Sequence, residues 1–116
     1  MPQELWQQLK TEAQQVIQEE PLLASYVSAC VLNHNSLQSA LSFILANKLS
    51  DDVMPAATVR ELFDKAFSES PKTIEDALCD IKAVFERDAA VSTHLAVILY
   101  MKGFQSIQVH RLAHFL

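Results

Sequence analysis

The sequence predicts an all-α protein, a bundle of about six helices, and three observations carry that prediction. One glycine in 116 residues leaves almost nothing to supply the positive-φ positions that tight hairpins need. Apolar residues recur three and four apart along most of the chain, the spacing of one helix face. Pro21, Pro55 and Pro71 stand where such runs begin, and a proline's missing N–H is harmless in a first helical turn.

In the first helix Leu5, Leu9, Ala13, Val16 and Ile17 form an apolar stripe opposite Gln7, Lys10, Gln14 and Gln18, and the pattern ends near Glu20. Pro21 opens a second helix, to about residue 33, carrying Leu22, Leu23, Tyr26, Val27, Cys30 and Val31. In the turn "NHNS", Asn35 or Ser36 can cap a third helix from 37 to about 48, with Leu37, Leu41, Ile44 and Leu45 on one face. "LSDDVMP" reads as a connection. Pro55 then starts a fourth helix, on which Val59, Leu62, Phe63, Ala66 and Phe67 oppose Arg60, Glu61, Asp64 and Lys65. Ser70 and Pro71 signal a fifth, 71 to about 87, that buries Ile74, Ala77, Leu78, Ile81, Val84 and Phe85. A sixth runs from about 92 to the end of the sequence. Its "LAVILYM", 95–101, is apolar on every face, so this helix is either the centre of the bundle or is covered by a partner. The sequence contains no internal repeat and no low-complexity segment.

Charge divides the chain in two. Residues 1–88, an acidic amphipathic bundle, hold all 14 acids and 7 of the 9 bases; 89–116, an apolar final helix, hold no acid and three of the four histidines. The two stretches form one domain, since the length suits a single core. A formal charge of −5 disfavours a phosphate-backbone partner and with it a helix-turn-helix DNA binder, so no nucleic acid is expected. No apolar run approaches the roughly 18 residues of a membrane span, and the polar start "MPQELWQQLKTEAQQ" lacks a signal-peptide core, so a cytoplasmic protein with no membrane partner is expected. Cys30 and Cys79, far apart and within periodic segments, read as two reduced core thiols.

Few residues suggest chemistry. His110 and His114, four apart on a helix, could both face one metal ion, but zinc needs a third protein ligand and "HRLAH" has no glutamate to act as base, so they read as ordinary helix histidines. His34 and His94 suggest still less. No serine, cysteine or lysine has a base and an orienting acid at a recognisable motif spacing, so no catalytic residue is named. Asp88, in "FERDAAV" at the junction of the fifth and sixth helices, is on its own residues a cap or a solvated charge. Gly103, inside a helical run, implies a kink or the close approach of another backbone.

Longer strings say more. "ALSFILANKLSDDVMPAATVRELFDKAF", "DIKAVFERDAAV" and "LYMKGFQSIQVHRLAHFL", with "PLLASYV" near the start, resemble in order and nearly without gaps the N-terminal helical region of bacterial serine O-acetyltransferases. The resemblance covers the whole chain. In that family the helices lead into a left-handed parallel β-helix of hexapeptide repeats, none of which is present here, so the sequence looks like a segment cut where the β-helix would begin. Phe115 and Leu116 would then pack on that missing part.

The resemblance implies transfer of an acetyl group from acetyl-CoA to L-serine on the way to cysteine, with the histidine base and the CoA site in the β-helix. The segment alone is therefore expected to be inactive and to hold no cofactor. Asp88 matches the aspartate of the family's "RDP" stretch and would be a substrate-binding carboxylate, attracting the ammonium of serine and, in feedback inhibition, of cysteine. Ala89 departs from the family's proline and leaves the bend less rigid, while the departures at His94 and Val97 bear on packing. Family members are typically hexamers made of two trimers joined by the helical regions, so self-association through the helices is expected. A free-standing helical protein–protein interaction module is the alternative.

Overall fold

The computed structural model describes residues 2–49, 55–88 and 93–114, and the described residues are helical with no strand. The chain forms α1 (Pro2–Glu19), a composite segment containing α2 (Ala24–Val27), then α3 (Leu37–Leu49), α4 (Ala56–Glu69), α5 (Pro71–Arg87), α6 (His94–Tyr100) and α7 (Lys102–Ala113). The "LSDDVM" part of the expected connection lies outside the described residues, apart from its leading Leu49.

The core forms because the predicted stripes meet. Leu5, Leu9 and Ala13 of α1, Val59, Phe63, Ala66 and Phe67 of α4, and Ile74, Ala77, Leu78 and Ile81 of α5 are buried in one cluster with α3 and α6. α3 buries residues on nearly every side, Ser42 among them, and packs along α4. α6 settles the alternative left open by "LAVILYM": Leu95, Val97, Ile98 and Leu99 are all within 3% of full burial, so the bundle itself covers them. Tyr100, the last residue of α6, is 59% exposed.

Four expectations need correction. The second helix is not uniform: a 3-10 turn (Pro21–Leu23) leads into α2 and a π segment (Ser28–Leu32) follows, closed by Asn33 N–H donating to Ser28 O at 2.8 Å. Val27, Cys30 and Val31 are buried along this segment, while Leu22, in the 3-10 turn, is exposed. Cys79 is exposed, so only Cys30 is a core thiol; both are free. Leu62, expected on the buried face of α4, is partly in solvent, and Val84 and Phe85 are only half-buried near the end of α5.

The sixth helix is two. Met101 leaves helical geometry, with φ −86° and ψ 99°, and separates α6 from α7. A continuous helix would satisfy the carbonyls of Ile98 and Leu99 with the N–H groups of residues 102 and 103. Here the amide of Gln105 reaches back instead, its Nε2 donating to Ile98 O at 2.9 Å and to Leu99 O at 3.1 Å. Gly103 accompanies the break; a Cβ there would meet nothing within 4 Å, so close approach of a neighbouring backbone is not the reason for it.

Candidate functional site

Asp88 follows the last residue of α5. It caps that helix with extended geometry, φ −98° and ψ 106°, its N–H donates to Val84 O at 3.0 Å, and its side chain is partly exposed. Residues 89–92 lie outside the described residues, and the chain resumes at Thr93. Thr93 Oγ1 caps α6 by accepting from Ala96 N–H at 3.1 Å.

A second capping group comes from far away in sequence. Glu12 of α1 accepts from Leu95 N–H at 2.8 Å and pairs with His94 Nδ1 at 2.8 Å. The His94 ring also stacks on Phe85, with centroids 4.0 Å apart and planes at 17°. α1, the start of α6 and the end of α5, which Asp88 caps, are thereby fastened together. Helical spacing gave no sign of this, because the partners lie 82 and 83 positions apart.

Other polar groups join helix to helix. Asp80 of α5 accepts from Gln108 Nε2 at 2.7 Å and from Arg111 Nη1, and the Arg111 guanidinium also approaches Asp76 at 4.0 Å, which ties α7 to α5. His34 Nε2 bonds Ala29 O at 2.8 Å, and Nδ1 bonds Ser39 Oγ at 2.7 Å, which in turn accepts from Arg60 Nη2 at 3.1 Å. A carbonyl only accepts, so Nε2 carries the hydrogen and Ser39 donates to Nδ1. Burial pushes the His34 imidazole below its usual range, the Arg60 charge adds to that, and the bond to Ala29 opposes it. Burial likewise raises the Cys30 thiol, which keeps it protonated and unreactive.

His110 and His114 are exposed, and among the described residues no group of three His, Cys, Asp or Glu side chains could hold a metal ion. No described helix is long and apolar enough to cross a membrane. A cleft of about 700 Å³ opens between α3, α6 and α7, lined by Leu49, Tyr100, Val109 and the basic side chains of Lys48 and Lys102. Leu49 and Tyr100 are the large apolar residues it leaves most in water.

Fold and site together define a class: an all-α domain whose polar groups join helix to helix, with one partly exposed carboxylate at the rim of a helix junction. The chain belongs to the serine acetyltransferase family, matching the description "Serine acetyltransferase, N-terminal" over residues 5–109. It is 42% identical over 116 residues to the serine acetyltransferase of Haemophilus influenzae, covering 100% of this chain and 43% of that one. A solved serine acetyltransferase in complex with cysteine matches with a TM-score of 0.96 and 42% identity, and one in complex with CoA with 0.97 and 42%. Those matches cover 100% of this chain and 48% and 49% of theirs. The chain thus spans less than half the length of these relatives.

Proposed function

We propose that this chain is the N-terminal helical region of a cytoplasmic serine O-acetyltransferase, which acetylates L-serine with acetyl-CoA in cysteine biosynthesis. The observation that carries the reading is the match along the entire chain to a serine acetyltransferase in complex with cysteine. Cysteine and serine share the ammonium and carboxylate of an amino acid. Asp88 supplies the charge that an ammonium seeks, and in a partly dry cleft such a pair attracts strongly. The carboxylate therefore binds serine as substrate and cysteine as feedback inhibitor. The base that deprotonates the serine hydroxyl and the CoA site belong to the part of the enzyme beyond these 116 residues.

The second role is assembly. The bundle of 1–88 and the final helices of 89–116 act as one unit that leads into the β-helix and joins copies of the enzyme, two trimers to a hexamer. The exposed apolar side chains support this, Leu49 and Tyr100 in particular, because large apolar surface at a cleft marks an interface.

The test is an acetyl-transfer assay on the full-length protein, following release of the CoA thiol with L-serine as acceptor. Activity is expected from the full-length enzyme and none above background from the 116-residue segment. Asp88→Asn is expected to lower kcat/KM for serine about 10- to 100-fold, the range for removing one charged hydrogen-bond partner. Unchanged kcat/KM in that variant overturns the assignment of Asp88.

A further inference from the structure

We propose that Glu12 is a positioning residue for Asp88, acting through His94 and Phe85; this deepens the serine acetyltransferase reading and rests on it. Glu12 stands in the middle of α1, and its side chain is 11% exposed. Its two oxygens take different partners at the start of α6: Oε1 the Leu95 N–H, Oε2 the His94 ring nitrogen, each at 2.8 Å. Gln8 Nε2 also donates to Oε2, at 3.2 Å from one turn earlier, which fixes the carboxylate on its own helix. A carboxylate only accepts here, so His94 Nδ1 is a donor. Two contacts from one acceptor set both the height and the rotation of a helix only seven residues long.

His94 passes that placement on. Its ring lies nearly parallel to Phe85 at 4.0 Å, and Phe85 stands three residues before Asp88 in the turn closed by the Asp88 N–H to Val84 O bond. A rigid line therefore runs from α1 through α6 to the last turn of α5. Glu12 does not touch the substrate. It decides where the turn bearing Asp88 sits, and a displacement of about 1 Å in a binding group can cost about 100-fold in rate.

The experiment is a double-mutant cycle in the full-length enzyme, with Asp88→Asn as one arm and Glu12→Ala as the other. Glu12→Ala is expected to raise KM for serine about tenfold and to leave KM for acetyl-CoA unchanged. Glu12→Gln, whose amide oxygen still accepts the Leu95 N–H and whose amide N–H can donate to Nδ1 of the other His94 tautomer, is expected to recover most of that loss. The double variant is expected to be no worse for serine than Asp88→Asn alone, because both changes remove the same interaction. If Glu12→Ala does not fold, His94→Phe, which keeps the ring stack and loses the bond to Glu12, enters the cycle in its place with the same expectation. Additive losses, or equal rises in both KM values, overturn the role of Glu12. A wild-type KM for serine in Asp88→Asn alone instead overturns the reading of the site on which it rests.

Discussion

His34 is a residue whose part in the fold follows from four hydrogen-bonding groups in line. Arg60 donates to Ser39, Ser39 to His34, and His34 to the carbonyl of Ala29 in the π segment. Protonating His34 would put a hydrogen on Nδ1 against a hydroxyl already oriented by Arg60, so the native state favours the neutral ring. Its folded pKa lies below the unfolded value of 6.5. Where folding depresses a histidine pKa, the unfolded chain binds more protons between the two values, so stability is fully present above the unfolded pKa and is lost as pH falls toward the folded one. Thermal melts from about pH 7.5 to about pH 5 should show a fall in Tm that is smaller in His34→Asn; equal slopes in both proteins would remove His34 as the cause. None of this was legible in the sequence, where a histidine in "NHNS" has no periodic partner. Asp88 could be singled out only through the family resemblance, since its place at a helix junction reads by itself as a cap or a solvated charge, and Glu12 and His94 could not, because only folding brings them together.

At the scale of the element, the helices themselves were legible and their irregularities only in part. Five starts and stops follow from apolar spacing and prolines, as at Pro71, where the backbone carbonyl of Ser70 takes the Thr73 N–H and hydroxyl while no serine side-chain cap forms. Gly103 signalled a kink near the break at Met101, but a full separation of α6 from α7 escaped, because the residue that permits it, Gln105, reads as an ordinary polar helix position. Its amide replaces two lost backbone donors inside the core. Gln105→Ala in the 116-residue chain is expected to lower stability by about 1–3 kcal/mol, the range for a buried polar group left unpaired, as measured by urea denaturation. Gly103 acts in the opposite sense. It has no positive φ and open space where a Cβ would stand, so Gly103→Ala should raise stability by about 0.4–1 kcal/mol in the same titration. A loss on Gly103→Ala would mean that the break itself requires glycine.

For the molecule as a whole, the apolar excess noticed in the last 28 residues divides between two destinations, and the division bears on assembly. Most of α6 is consumed by the bundle's own core, which removes the simplest reason to expect a partner. What remains of it is a smaller surface, Tyr100 at 59% exposure and Ile107 at 51%, and Leu49 of α3, at 50%, stands with Tyr100 on the walls of the same cleft. Lys48 and Lys102 at its rim stand in a chain of formal charge −5, so two copies repel one another at long range and attract only where apolar surfaces meet. Salt then separates the causes. Screening weakens long-range repulsion and leaves apolar contact intact, so self-association of the 116-residue chain at micromolar concentration should tighten as salt rises from about 0.05 to 0.5 M. Sedimentation equilibrium reads this directly, and Tyr100→Glu should shift the distribution toward monomer at every salt concentration. Association that weakens with salt would assign the contact to ion pairs, and association untouched by Tyr100→Glu would move it to a different face, such as the one around Leu22, which is 91% exposed.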